Sequence, residues 1–255
     1  MRASRSCGGG EQPSRDEVAA NLRAGAPSTR KRALPDVDTW ADLNAAPELV
    51  HERLGIRLAE ERCPSVANTF PVPKPGSDEV RRVAWLNPLD ELYFRILVGR
   101  VASIIDGALG SDVFSYRLQT DPPGWSVLDG SKPFRLRTDR GEALFADGRC
   151  NAMGIADIRH CYPSIRLEVL SETLGKRGLP DEAIARIVDF LAPLVDMGAP
   201  PGLPVDLDAS GLLANAVLLG LDEALAGCVL GHVRFSDDSW LYLPSADDGG
   251  VPGLV

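Results

Sequence analysis

Histidine and cysteine are sparse in this chain, with three of one and five of the other among 255 residues. Cys7, Cys63, Cys150, Cys161 and Cys228 are scattered and form no Cys-x-x-Cys pair, which argues against a zinc site and reads as buried or idle thiols. Long hydrophobic runs are missing too: none approaches the roughly 18 residues that span a bilayer. The opening MRASRSCGGGEQPSRDE has no apolar segment of the kind a secretory signal carries, so a soluble, cytoplasmic protein with no membrane partner is expected. Positive charge is also short. A formal net charge of −9 excludes a broad basic coat for nonspecific nucleic-acid binding, although it leaves room for a local basic groove.

What the chain does have is enough apolar residue, 44% hydrophobic against 25% charged, for one medium domain or two small ones. Residues 1–35 are rich in Gly, Ser, Pro and Arg and read as a disordered tail, with a short helix near Asp16 to Arg23. Helical spacing follows over Thr39 to Glu61, broken at Pro47, then a hairpin over about Asn68 to Trp85 with Lys74 near its turn, then a long helix over Leu89 to Leu109. Turn signals dominate Asp112 to Asn151, where Lys132, Arg135, Arg137 and Arg140 interleave with Phe134 and Leu136, a pattern suited to a strand with a basic face. Ala152 to Ile158 reads as a buried strand. Ser164 can cap a helix to about Gly178, Pro180-Asp181 opens another to about Val195, and Ser210 begins a third that ends near Gly227. Val229 to Phe235 and Ser239 to Leu243 form a hairpin around Ser236-Asp237-Asp238. The order implies an α+β fold, an antiparallel sheet with helices packed on one face.

Carboxylates on such strands are costly unless paired, and a divalent cation is the strongest partner available. Asp157, Asp237 and Asp238 at one end of a sheet would hold two magnesium ions about 3.5–4 Å apart, the arrangement used for phosphoryl transfer. An Asp-Asp pair in a turn has the alternative of being simply solvated.

Three segments in order carry more weight: ADIRHCYPSI (Ala156 to Ile165), GLPVDLDASGLLANAVLLGLDEAL (Gly202 to Leu225) and HVRFSDDSWLYL (His232 to Leu243). Together they resemble the palm motifs of bacterial reverse transcriptases, the group that includes retron, group II intron and phage-defence enzymes. VPKPGSDEVRRVAWLNPLDELYFRILV and DVFSYRL resemble that family's fingers. The resemblance implies right-hand polymerase fingers within 36–150 and a palm at 151–243, acting as an RNA-directed DNA polymerase on an RNA template, a DNA primer and deoxynucleoside triphosphates, with Mg2+ or Mn2+. It implies Asp157, the Ile158 carbonyl and Asp237 as metal ligands, with Asp238 a looser third carboxylate. Tyr162 falls where the family keeps an aromatic gate against the ribose 2′-hydroxyl; its alternative is a core tyrosine. Lys74 and Arg82 match bases that meet the triphosphate, with Arg81 open as a substitute for Arg82. Gly202 and Pro204 match the loop beside the templating pair, and Ser210 and Asn215 match the following helix, where Ser210 can also serve as a cap.

The sequence also departs from that pattern. Val205-Asp206 stands where mobile-element members have Gln-Gly, which adds a side chain and a charge and points to a defence-type enzyme, altered template use or decay. Phe235 replaces the commoner tyrosine. Only the loop-like 244–255 follows, so a primer grip and thumb are expected to be absent from this chain, whether they form a separate chain, were lost by a frameshift or were never needed; the palm edge they would cover suits a partner chain or self-association. The rival reading is a catalytically incomplete fragment that serves as an RNA-binding or partner subunit. A different palm-type nucleotidyl transferase or cyclase explains the acids but not Gly-Leu-Pro ahead of the Ser210 helix.

Overall fold

Two stretches of this sequence are apolar nearly all round, and a helix of that kind must be enclosed by others. The computed structural model describes residues 12–29, 37–60, 63–65, 67–73, 78–128 and 131–244. Its first half contains α1 (Arg15–Thr29), α2 (Val37–Ala45), α3 (Pro47–Ala59), β1 (Ala67–Pro73), β2 (Val80–Leu86), α4 (Pro88–Ala108), β3 (Leu118–Thr120), β4 (Ser126–Val127) and α5 (Ser131–Ala146). The second contains β5 (Cys150–Asp157), α6 (Cys161–Ser164), α7 (Leu167–Lys176), α8 (Asp181–Asp196), α9 (Asp208–Leu225), β6 (Gly231–Phe235) and β7 (Asp238–Pro244). The fold is α+β with small antiparallel sheets. No helix among the described residues is long and apolar enough to cross a membrane.

The enclosed pair is α4 and α9, which pack on each other while α8 and α1 cover α4 and α7 covers α9. One hydrophobic cluster runs from Val18 and Leu22 through Phe94 and Leu97 to Leu212 and Leu213, so the first and second halves share a core. The entry of α4 is fixed by Asn87, whose side chain accepts from the Leu89 amide at 3.0 Å, and by Pro88 in the first turn. Buried Asp90 then ties α4 to α3 through Arg57 at 2.5 Å. Arg95, also buried, stacks over Trp125 at 4.2 Å and donates to the Trp125 carbonyl.

The hairpin of β1 and β2 has the expected register, Asn68 opposite Trp85, and Thr69 fastens it to the α8–α9 loop by donating to the Gly198 carbonyl at 2.8 Å. Lys74 and the hairpin turn lie outside the described residues, as do residues 1–11, 30–36 and the 245–255 tail.

Strands β3 and β4 pair in a second two-stranded sheet, and the three-stranded sheet has the order β5-β7-β6, antiparallel throughout. Alternation puts Val233, Trp240 and Tyr242 on one face and His232, Arg234 and Ser239 on the other. The first face meets α5, with Phe145 edge-on to Tyr242 at 5.3 Å and Phe134 edge-on to Phe235 at 6.2 Å. On the second face, Arg234 reaches Asp222 of α9. Helices therefore meet both faces, not one.

Several expectations are corrected here. The basic stretch at 131–146 is a helix, not a strand. Its buried positions are Pro133, Arg137 and Gly141, spaced four apart but not apolar, so the helical period was hidden from a hydrophobicity count. The short helix expected near Asp16 to Arg23 is present but longer, as α1, and it is not part of a disordered tail, since Val18 and Leu22 are fully buried. Strand β5 is an exposed edge, with Ile155 68% accessible, not a buried strand. Ser164 closes α6 rather than capping α7, and α9 begins at Asp208, two residues before Ser210.

Gly141 is where α5 comes down on the sheet. A Cβ there would stand 2.2 Å from the Tyr242 hydroxyl and 3.3 Å from Trp240, both held in packed positions. Alanine gains about 1 kcal/mol in helix propensity but overpacking costs about 1–3 kcal/mol. Gly141→Ala is therefore expected to lower the urea midpoint of unfolding; a raised midpoint would contradict this seating of α5.

Candidate active site

The β6–β7 hairpin turns through Ser236 and Asp237, and Ser236 takes a positive φ of 61°. That conformation is unfavourable for a residue with a side chain, so something must hold it. Three contacts do. The Ser236 amide donates to Ser115 Oγ at 2.6 Å, its carbonyl accepts from Arg234 Nη1 at 2.9 Å, and its hydroxyl lies 3.1 Å from Tyr162 Oη.

Arg234 is fully buried, in a strand that otherwise reads as apolar. Asp222 neutralises it in bidentate fashion at 2.7 and 2.8 Å, and Asn215 Oδ1 accepts from Nη1 at 2.7 Å. The amide nitrogen of Asn215 donates to the Ser115 carbonyl at 2.8 Å. Arg234, Asn215, Ser115 and Ser236 thus form a closed ring of hydrogen bonds below the turn.

Above the ring, Asp237 is half-buried and its backbone ties the turn to β5: the Ile158 N–H donates to the Asp237 carbonyl at 3.2 Å. Burial raises the Asp237 pKa above the ordinary carboxylate value, and the negative charge of Asp157 adds to the rise, while Arg81 on β2 opposes it. Asp157, at the exposed end of β5, is the register partner of Asp238. Asp238 itself pairs with Arg137 Nη2 at 2.8 Å. Asp157 and Asp237 are brought together, and Asp238 is engaged by α5.

Among the described residues no three His, Cys, Asp or Glu side chains form a metal-holding group. Magnesium does not require one, since it keeps several waters and is commonly held by one or two carboxylates plus substrate phosphates. Two hard-oxygen donors, one of them half-buried and raised in pKa by that burial first and by its neighbour's charge second, suit such a cation. The Ile158 carbonyl already accepts from the Cys161 amide at 3.2 Å, leaving one lone pair.

Tyr162 is buried beside the turn. Its hydroxyl also hydrogen-bonds Tyr116, and burial pushes Tyr162 well above its ordinary value and Tyr116 up to about 12, so both stay neutral donors. Gly202 has φ +85°, and a Cβ there would meet the carbonyls of Tyr162, Pro163 and Ile165 at 2.5 to 2.9 Å. The Leu203 amide donates to the Tyr162 carbonyl at 3.0 Å. Glycine is needed because this loop lies against the Tyr162 segment, and Pro204 is buried with it. Asp206 adopts φ +75°, a conformation that glycine would supply without strain. Ser210 is fully buried with an unpartnered hydroxyl, and Asn215 spends both ends of its amide inside the ring. Arg81 and Arg82 are both exposed on β2, and Arg81 is the one whose charge acts on Asp237.

Four non-glycine residues among those described have positive φ: Tyr116, His160, Asp206 and Ser236. All four border this one place, and backbone strain of this kind concentrates at functional sites. Arg234, Ser115 and Tyr116 were not picked out from the sequence, and Arg137 was read only as part of a basic face. Arg234 carried a signal, an arginine inside an apolar strand, which demands a buried anion. No protein-family model matches the chain, and no curated protein matches it.

The raised Asp237 pKa has a thermodynamic sign. The folded chain holds this proton to higher pH than the unfolded chain, so ionised Asp237 costs stability above its raised pKa, and the cost vanishes below the ordinary value of 3.8. Asp237→Asn is expected to melt higher than the parent near neutral pH without divalent cations. The gap should close as the pH falls through that window, and an Asn variant melting lower at neutral pH would contradict the account.

Proposed function

We propose that the chain is a reverse-transcriptase-like nucleotidyl transferase, with Asp157 and Asp237 as its cation-holding pair. The observation that supports this reading best is convergence: three segments distant in sequence, Asp157 to Tyr162, Gly202 to Pro204 and Ser236-Asp237, meet around one half-buried carboxylate. The reaction is attack of a primer 3′-hydroxyl on the α-phosphate of a deoxynucleoside triphosphate, which forms the phosphodiester and releases pyrophosphate. A bound magnesium would lower the hydroxyl's pKa and neutralise charge on the phosphates. Asp157 and Asp237 would hold it. Arg81 and Arg82, with Lys74 outside the described residues, are the bases available to the triphosphate. Tyr162, neutral and fixed by Ser236 and Tyr116, forms a rigid wall next to the carboxylates, the position from which a ribose hydroxyl is excluded by contact. Ser236 and its ring keep Asp237 in place, so little reorganisation is needed when substrate arrives.

A second reading, a partner subunit without turnover, draws on β5. Among the described strands none lies on its outer side, and Met153 and Ile155 are 39% and 68% exposed. Such an edge accepts another strand.

The test is labelled deoxynucleotide incorporation by the full chain with Mg2+ or Mn2+, on an RNA template with a DNA primer and without either. Template-dependent incorporation that falls about 100-fold or more in Asp237→Asn is expected. Incorporation undiminished in that variant would remove the reaction from this site, and none under any condition would leave the subunit reading.

A further inference from the structure

Arg137 and Asp238 have no part in that reaction, yet their geometry is specific. Arg137 is 2% exposed, and its guanidinium carbon lies 3.8 Å from the Trp240 ring centroid and 5.9 Å from those of Phe134 and Phe235. Three aromatic faces attract a cation but do not replace the water it has lost. Its ion pair runs from Nη2 to Asp238 Oδ2 at 2.8 Å without hydrogen-bond geometry, and neither Nη2 nor Nε has a hydrogen-bond partner. A buried guanidinium in this state depends on its anion. Were Asp238 to turn toward Asp157 and Asp237, Arg137 would keep only ring faces, and a third negative charge would join two that already repel each other.

We propose that Asp238 is the counter-ion of Arg137 and not a metal ligand, and that Arg137 is a positioning residue that reserves the cation site for Asp157 and Asp237. The inference rests on the cation-site reading. It also explains what α5 contributes, because seating Arg137 between Trp240 and Asp238 fixes which of two adjacent carboxylates faces the substrate. A site of two carboxylates matches what Mg2+ and Mn2+ take when substrate phosphates complete the shell.

The experiment is titration of the full chain with Mn2+ alone, reading free Mn2+ by electron paramagnetic resonance, with folding checked by near-ultraviolet circular dichroism. Asp157→Asn and Asp237→Asn are each expected to weaken Mn2+ binding at least tenfold, and Asp238→Asn less than twofold. Arg137→Met releases Asp238 and is expected to tighten binding, a gain that a merely structural residue would not give. The double variant Arg137→Met/Asp238→Asn removes both charges and is expected to lose that gain; it also serves if the single methionine variant fails to fold, by matching the parent affinity. Asp238→Asn weakening Mn2+ as much as Asp237→Asn, or a double variant that binds at least tenfold more weakly than the parent, would overturn the proposal. A parent chain that binds no Mn2+ would overturn the cation-site reading itself, and the inference with it.

Discussion

The burial of Arg234 is the constraint on which the site depends. A guanidinium with no solvent exposure must be neutralised and its donors satisfied, and in this chain Asp222, Asn215 and the Ser236 carbonyl do both. Those partners lie on different pieces of the fold. Asp222 and Asn215 are on α9, and Ser236 is in the hairpin turn. Ser115, joined through Asn215, follows α4. Satisfying one arginine therefore fixes the distance between α9 and the tip of the three-stranded sheet. Because a partly satisfied polar network is worse than none, the alternatives are a turn held in place or a severe loss of stability.

That rigidity explains how an unfavourable arrangement persists above the ring. Ser236 is held in a left-handed conformation, Asp237 is ionised only at a cost, and Asp157 adds to that cost. None of these features stabilises the fold. The packing of α4 on α9 and the aromatic contacts of α5 with the sheet absorb them, as expected where strain and unfavourable charge serve binding. Local rules of sequence are broken together at this one place, and they are kept nearly everywhere else.

Much of the fold was legible. The boundaries of α4 and α8, the break at Pro47 and both hairpins follow from apolar spacing, proline and turn residues, which act locally. The helix α5 was not, because the positions it buries are proline, arginine and glycine, and its burial is set by Trp240 and Tyr242, roughly a hundred residues away. In the site, Asp157, Asp237 and Tyr162 were legible as residue types in order, and the charge of Asp157 acts on Asp237. The reason for Gly202 was not: the sequence offers a loop near substrate, whereas the structure places its missing side chain against three carbonyls. Asn215 and Ser210 likewise lie inside the protein, where no reading of composition could put them.

The central claim is that a divalent cation is held between Asp157 and Asp237 by a turn fixed from beneath. Paramagnetic broadening of backbone amide resonances by substoichiometric Mn2+ tests it most directly, since it locates the ion without assuming any reaction. The account predicts that the amides of Asp157, Ile158, Ser236 and Asp237 broaden first, while those around Glu48 and Glu52 on α3 stay sharp. Broadening centred on another acidic group, such as Asp106 and Asp112, or spread evenly over the surface, would contradict it.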